Sequence, residues 1–357
     1  MKTAIIGLPM TGKTSLFTIL TGVHQETKIG STAARTGVAK VPDARLDELA
    51  RLFEPKKTTY ATVEYVDMPS ISKENLRDPS YLASLRVVDA FAHVLRLFQD
   101  QTVPHEKGSV DPIRDMEDVE TELILSDLVV VEKRMERVDK DRKKIKNPEL
   151  DREFELLARC KAMLEENRPL RLLEMDAEDE KRLRGFQFLS QKPVLYVLNL
   201  GEEDTARLHE REREYREGPL AGRRHTSAAA ICGKIEAELA ELPREDQKEY
   251  LASYGLQESG LERLISATYA LLGLMSFLTA GEDECRAWTI PMNSPAVKAA
   301  GAIHSDFEKK FIRAEVASWK SLVDLGGYAG AREKGQLRLE GKEYIVRDGD
   351  VLVIRHS

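Results

Sequence analysis

The sequence predicts an α/β protein: a parallel sheet interrupted by an antiparallel helical hairpin and followed by a small mixed domain. Three observations carry that prediction: a short apolar strand that runs through a glycine-bounded loop into a helix at residues 3–17, a heptad seam at residues 124–145, and short strands with tight turns from Arg286 onward. The expected domains are 1–122 with 186–278 as a discontinuous first domain, 123–185 as the hairpin, and 279–357 as the C-terminal domain.

The first strand, Thr3 to Ile6, opens the stretch TAIIGLPMTGKTSLF. Inside it lies Gly7-x-x-x-x-Gly12-Lys13-Thr14, the phosphate-binding P-loop spacing. A polyphosphate needs several backbone N–H groups converging on it, and only a loop with glycine at its sharp bends presents them. Gly7, Leu8, Pro9, Met10, Thr11, Gly12, Lys13, Thr14 and Ser15 are therefore the candidate nucleotide-binding residues. The helix starting at Lys13 points its positive dipole end at the anion, and Lys13 adds a point charge on the outer phosphates, with a catalytic part in turnover. The Thr14 hydroxyl is placed to ligate Mg2+. An accidental match on an ordinary strand-turn-helix is the alternative, and the flanking strand and helix argue against it.

Composition sets the outer limits. The 357 residues are 42% hydrophobic and 32% charged, which suits a soluble globular protein of two or three domains. No run approaches the roughly eighteen apolar residues of a membrane span, and the N-terminus enters a strand directly, so a cytoplasmic protein with no membrane partner is expected. Cys160, Cys232 and Cys285 are odd in number and far apart, which argues for free thiols. A formal net charge of -7 gives no global pull toward nucleic acid, and no DNA specificity is expected.

Val23 to Arg35 is polar and poorly patterned, the place where a P-loop enzyme carries its first switch. Ser31 and Thr32 are the candidates for a second Mg2+ hydroxyl there, against a routine surface loop. Val38 to Val41 reads as a strand, and Pro42-Asp43 opens a helix with Leu46, Leu49, Leu52 and Phe53 on one face. Thr62 to Asp67 alternates and ends in an acid that would reach Mg2+ through water from the next parallel strand; a simple strand-end cap is the alternative. Asp89 to Phe98 is a buried strand followed by a loop with His105 and Gly108.

Ile124, Leu128, Val131, Met135, Val138, Arg142 and Ile145 then step by four and three until Asn147-Pro148 breaks the seam. Leu150, Phe154, Leu157 and Leu164 resume it with Lys161 at one seam position. Glu132 to Lys146 carries eight Lys or Arg against four Asp or Glu. That is either a solvated exterior or a docking arm for a polyanion such as ribosomal RNA.

The sheet resumes at Pro193 to Leu200, and a strand end near Ala230 to Gly233 leads into the helix IEAELAEL. A last apolar helix is expected over Leu261 to Phe277. Trp288 to Ile290, Phe311 to Val316, Glu343 to Val346 and Val351 to Arg355 read as short strands, with a helix near Pro295 to Ala300 and a turn at Asp348-Gly349-Asp350.

Taken in order, the P-loop, the strand ending in Asp67, Asn199-x-x-Glu202 and the C-terminal stretches LLGLMSFLTAG, RAWTIP, HSDFEKKFIRAEV and LEGKEYIVRDGDV resemble the YchF/Obg-like ATPase family of translation-factor-related P-loop proteins. VPDARLDELARLFEPKK and KIEAELAEL add to the likeness, which spans nearly the whole chain. The resemblance implies a Ras-like P-loop NTPase domain, a coiled-coil insertion and a C-terminal TGS domain, a ubiquitin-like β-grasp module. It also implies a Mg2+-dependent, ribosome-associated switch that binds ATP, or GTP less readily, with the hairpin and TGS domain meeting a ribosomal or RNA partner.

The base-reading segment implied by the resemblance is Asn199, Leu200 and Glu202, with Cys232 beside them. An Asp in the Asn-Lys-x-Asp pattern accepts two hydrogen bonds from guanine; adenine offers a different donor pattern, so Glu202 in that place goes with ATP. A plain strand-end turn is the other reading of Asn199 and Glu202. In the second switch, Asp67 and the apolar Ile71 fit the family pattern, while Pro69-Ser70 stands where a glycine is expected. Ala33 and Ala34 replace a Glu-Pro pair in the first switch. Position 71 offers no glutamine, and His105 aligns with the family's water-positioning histidine; a surface histidine is the alternative. Two functions compete: a hydrolysing switch, and a nucleotide-binding interaction module with degenerate switches. A small-molecule kinase would need an Arg-bearing lid where this chain has a coiled-coil seam.

Overall fold

A computed structural model describes residues 1–23 and 34–356; Ser31, Thr32 and Ala33 lie outside the described residues. The chain divides into two compact units, Met1–Val38 with Glu64–Leu271, and Ala39–Val63 with Leu272–Ser357. The elements run β1 (Lys2–Ile6), α1 (Lys13–Thr21), β2 (Arg35–Lys40), α2 (Ala44–Phe53), β3 (Lys57–Thr59), β4 (Thr62–Asp67), α3 (Pro79–Arg86) and β5 (Ala90–Arg96). Next come α4 (Pro112–Arg142), α5 (Pro148–Glu165), α6 (Ala177–Leu183), β6 (Val194–Asn199), α7 (Leu208–Glu217), β7 (Thr226–Ile231), α8 (Gly233–Glu241), α9 (Arg244–Ser253) and α10 (Gly260–Leu271). The last part holds β8 (Leu274–Thr279), β9 (Glu284–Pro291), α11 (Ala296–Ile303), α12 (Ser305–Lys309), β10 (Phe311–Ser318), α13 (Trp319–Asp324), α14 (Tyr328–Glu333), β11 (Arg338–Glu340) and β12 (Asp350–His356).

The first sheet has the order β2-β4-β1-β5-β6-β7, and every registered pair from β4 to β7 is parallel. Parallel strands buried on both faces need unbroken apolar runs. β1 and β5 supply them, with Ala4, Ile5, Phe91 and Ala92 fully buried. β1 and β6 are separated only by β5, so their carboxyl ends, where Gly7 and Asn199-Leu200 sit, face the same crevice.

Helix punctuation sets the hairpin. Pro112 and Pro148 each open a helix, capped by Asp111 and Asn147 through the N–H groups of Arg114 and Glu149. Ile124, Val131 and Val138 of α4 pack with Leu157, Cys160 and Leu164 of α5. The seam is shorter than its spacing suggests: Ile145 is 62% exposed, and Arg142 lies over the Phe154 ring at 4.3 Å. Cys160 takes the buried place next to Lys161, whose ammonium reaches out to Glu132 at 3.0 Å. At the hairpin root, buried Asp127 of α4 accepts from the N–H groups of Leu189 and Ser190 and from the Ser190 hydroxyl, at 3.0, 2.7 and 2.8 Å.

The second unit carries the sheet β11-β10-β12-β8-β9-β3. Counting from β8, its own five strands stand in the order 4-3-5-1-2, which is the β-grasp arrangement, with α11 packed among its core residues. β3 adds a sixth strand parallel to β9.

Three boundaries differ from expectation. Leu274–Thr279 is the strand β8, not the end of a helix, because Gly273 (φ +63) stops α10 and the continuous apolar run LMSFLT suits a buried strand equally well. Glu343 to Val346 forms no strand; only an isolated bridge joins Ile345 to Pro295. Residues 39–63 group with the C-terminal unit, where Asp43 and Asp348 share the Arg45 guanidinium and Lys57–Thr59 follow β9, so the expected first-domain span 1–122 and its end at 278 do not match the compact units.

Replacing Asp127 orphans three buried donors at once. Asp127→Ala should lower the stability of the first unit by about 3 kcal/mol, read as an earlier urea transition in far-UV circular dichroism.

Candidate functional site

The loop between β1 and α1 turns where a side chain has no room. Gly7 has φ +143, and a Cβ there would lie 2.7 Å from the Val94 carbonyl oxygen of β5; Gly12 has φ +94, and a Cβ would lie 2.6 Å from Asn199 Nδ2. Gly12 is also the N-cap of α1, and no side chain caps that helix, so its first amides point into the loop without a competing side-chain acceptor. The Thr11 hydroxyl donates to the Leu8 carbonyl at 3.1 Å and braces the turn.

Lys13 folds back over this loop. Its ammonium donates to the Leu8 carbonyl and, at 3.1 Å, to the Ser70 hydroxyl. Burial lowers its pKa from the ordinary 10.5 to about 8, with Asp67 and Glu106 pulling the other way. Asp67, at the end of β4, is buried. Its Oδ2 accepts from the Thr14 hydroxyl at 3.2 Å and from the Arg35 guanidinium, and Oδ1 is buried without a hydrogen-bond partner among the described residues. Pro9, Met10, Gly12 to Ser15, Arg35 and Asp67 to Ser70 line one cavity of about 380 Å³.

The segment after Asp67 is pinned from several sides. Met68 and Ile71 are buried, Tyr81 donates to the Pro69 carbonyl at 2.8 Å, Asn75 Nδ2 to the Ser70 carbonyl at 2.7 Å, and the Ile71 N–H to the Gly7 carbonyl at 3.3 Å. Ser70 stays outside the positive-φ region, and its hydroxyl meets Lys13.

A second cavity of about 440 Å³ shares Gly12 and Ser15 with the first and is lined by Phe98 to Asp100, Asn199 to Glu203 and Ile231 to Lys234. Leu200 and Cys232 are buried in its wall, and burial pushes the Cys232 thiol pKa up. The position of Asn199 differs from that of a free base reader. Its Nδ2 donates to the Thr11 carbonyl at 3.1 Å and its Oδ1 accepts from the Gly233 N–H at 3.0 Å, so both ends of the amide tie loops together. Glu202 is ion-paired to Lys234 at 2.6 Å across the second cavity. Phe98 is set by Arg96, a buried guanidinium stacked 4.5 Å from the Phe98 centroid that donates to the carbonyls of Phe98, Asp100, Val103 and Pro104.

His105 stands apart from both cavities. Its Nδ1 accepts from the Lys107 N–H at 3.1 Å and its Nε2 faces Asp115 Oδ2 at 2.8 Å, so both ring nitrogens are engaged and the proton lies on Nε2. The sequence assigns no site role to Arg35, Phe98 or Lys234, and shows Ser70 only as the residue in place of a second-switch glycine. Arg35 had a readable signal, a cation at the head of the strand β2 that flanks the strand of Asp67; the others depend on tertiary packing. No cluster of three or more His, Cys, Asp or Glu suited to a metal occurs among the described residues, all three cysteines are buried free thiols, and no described helix is long and apolar enough to cross a membrane.

The family model YchF-GTPase_C, described as a protein of unknown function (DUF933), matches residues 274–357. The chain is similar to the ribosome-binding ATPase YchF of Bacillus subtilis (strain 168), 41% identical and covering 100% of this chain and 99% of the relative. It is also similar to the ribosome-binding ATPase YchF of Escherichia coli O157:H7, 39% identical over 98% of each chain. Among solved structures, that of the Schizosaccharomyces pombe YchF GTPase superposes with a TM-score of 0.84 at 27% identity, covering 99% of this chain and 97% of the other.

The lowered Lys13 pKa sets a pH signature. An incoming anion favours the charged ammonium and lifts that pKa back above about 8. Above about pH 8, triphosphate binding should therefore take up a proton and weaken as pH rises. Calorimetry at pH 9 in buffers of different ionisation enthalpy reads the uptake, which Lys13→Met should abolish.

Proposed function

This chain belongs to the YchF family, and we propose that it is a Mg2+-dependent P-loop nucleoside-triphosphatase of the cytoplasm that binds ATP in preference to GTP and works on the ribosome. The observation that carries the reading is the convergence of Gly7, Gly12, Lys13, Thr14 and Asp67 on one cavity that adjoins a second, partly apolar one.

The backbone from Gly7 to Ser15 holds the phosphates, with the ammonium of Lys13 beside them. A bound Mg2+ would neutralise phosphate charge there. The donor set fits such an ion: the Thr14 hydroxyl and the Asp67 carboxylate are already 3.2 Å apart, and Asp67 Oδ1 is a buried acceptor lacking a donor among the described residues. Phe98, Leu200 and Cys232 wall the place for the base. With Asn199 holding Thr11 and Gly233, Asp100 accepting from the N–H and hydroxyl of Thr102, and a glutamate paired to Lys234 where the guanine-reading pattern has its aspartate, the cavity wall supports ATP. Two relatives are named as ATPases and the yeast structure as a GTPase, so the base pocket has to decide.

Turnover is slow on this reading, because His105 has to leave Asp115 before an imidazole nitrogen can face a water. The same bond and the pinned Ser70 segment favour one rival, an interaction module that binds ATP without hydrolysing it. The relatives named above bind ribosomes by name. On this chain the exposed Lys133, Arg137, Lys140, Lys144 and Lys146 at the far end of the hairpin, around exposed Ile145, are the proposed phosphate-contacting tip, and the β-grasp unit a further contact.

Titrating fluorescent ATP and GTP side by side with Mg2+ should favour ATP by at least about tenfold, a difference of about 1.4 kcal/mol, and Lys13→Ala should weaken ATP binding by about a hundredfold. A tenfold preference for GTP overturns the base-pocket reading. Single-turnover γ-phosphate release no greater than that of Lys13→Ala leaves the interaction module.

A further inference from the structure

We infer that Arg35 is a built-in competitor of the divalent cation at Asp67, so that metal and triphosphate enter together by exchanging partners with this ion pair. The inference rests on the reading of Asp67 as the carboxylate on the metal side of the cavity.

The Arg35 guanidinium and the Thr14 hydroxyl both reach Oδ2 of Asp67, the oxygen nearest the proposed metal ligand. The two side chains of the ion pair are 12% and 7% exposed, so this is a sheltered contact that water and salt screen weakly. The guanidinium is also held from its flat side, with its carbon 5.2 Å from the centroid of the fully buried Phe17 ring. One cation is thus fixed by stacking and by charge at the spot where a second cation would bind. A cation that binds at Asp67 has to displace this guanidinium.

Release does not strand the guanidinium. Arg35 lines the same cavity as Lys13 and Thr14, where a terminal phosphate offers two oxygens to its planar fork. The cation replaces arginine at Asp67, and the phosphate replaces Asp67 at arginine. Each partner is needed for the other, which makes Mg2+ and nucleoside triphosphate binding cooperative and ties the first residue of β2 to the phosphate end of the ligand. A diphosphate, lacking the terminal group, restores less of the lost pairing.

The test titrates Mg2+ into the full-length chain with a fixed amount of fluorescent ATP analogue, comparing wild type with Arg35→Gln, Arg35→Lys and Asp67→Asn, with thermal melts as the check on folding. Arg35→Gln should reach half-saturation at about tenfold lower Mg2+. Arg35→Lys, which keeps the charge and loses the fork, should fall between, at about threefold lower, and carries the test if the glutamine variant does not fold. Asp67→Asn should need more Mg2+ than wild type. An unchanged half-point in both arginine variants, with Asp67→Asn shifted, overturns the role of Arg35 and leaves that of Asp67; an unchanged Asp67→Asn overturns the assignment of Asp67 itself.

Discussion

One side-chain amide fixes the rest of the site. Asn199 leaves the end of β6, gives its N–H to the Thr11 carbonyl in the phosphate loop, and takes the N–H of Gly233 at the start of α8. A buried amide with both ends satisfied is rigid and costly to disturb. Its Nδ2 also fills the space next to Gly12, where a Cβ would come within 2.6 Å, so the loop residue has to be glycine. The cavity at Lys13 and the neighbouring one are therefore shaped by the same contact.

Charge decides how the phosphate cavity behaves. Lys13 and Arg35 line it together with the Asp67 carboxylate, one of whose oxygens is unpartnered among the described residues, and Glu106 adds to the negative charge around Lys13. Burial leaves Lys13 with a weakened hold on its proton, which an arriving anion would restore. The segment that follows Asp67 is anchored by Tyr81, Asn75 and the buried Ile71 instead of by a glycine turn. Such anchoring reduces the freedom of a segment expected to respond to the terminal phosphate. On the proposed reading, that anchoring goes with slow turnover.

Much of this was legible in the amino-acid order because it depends on local spacing. Gly7, Gly12, Lys13 and Thr14 define the loop by interval alone, and TVEYVD shows both a strand and the acid at its end. The helical hairpin follows from steps of four and three, and its turn from Asn147-Pro148. What depended on distant partners was not legible. LMSFLT reads equally as helix or strand until β9 and β12 pair with it. Residues 39–63 precede the strand of Asp67 in the chain yet pack with the C-terminal unit. Asn199 reads as a base contact by position, while its hydrogen bonds, to residues 188 and 34 positions away, hold the loops. His105 likewise reads as a free imidazole until Asp115, ten residues on, is brought against it. The resemblance to the YchF family supplied the C-terminal fold, which the pattern of short strands alone did not name.

On the proposed reading, the backbone from Gly7 to Ser15 grips a triphosphate as one body with the loops at Asn199 and Gly233. Hydrogen–deuterium exchange of the full-length chain, with and without a non-hydrolysable Mg2+·ATP analogue, tests it most directly. The amides of residues 8–15 and 232–235 should gain protection together at the same ligand concentration. Protection confined to other segments, with residues 8–15 unchanged at saturating ligand, would contradict it.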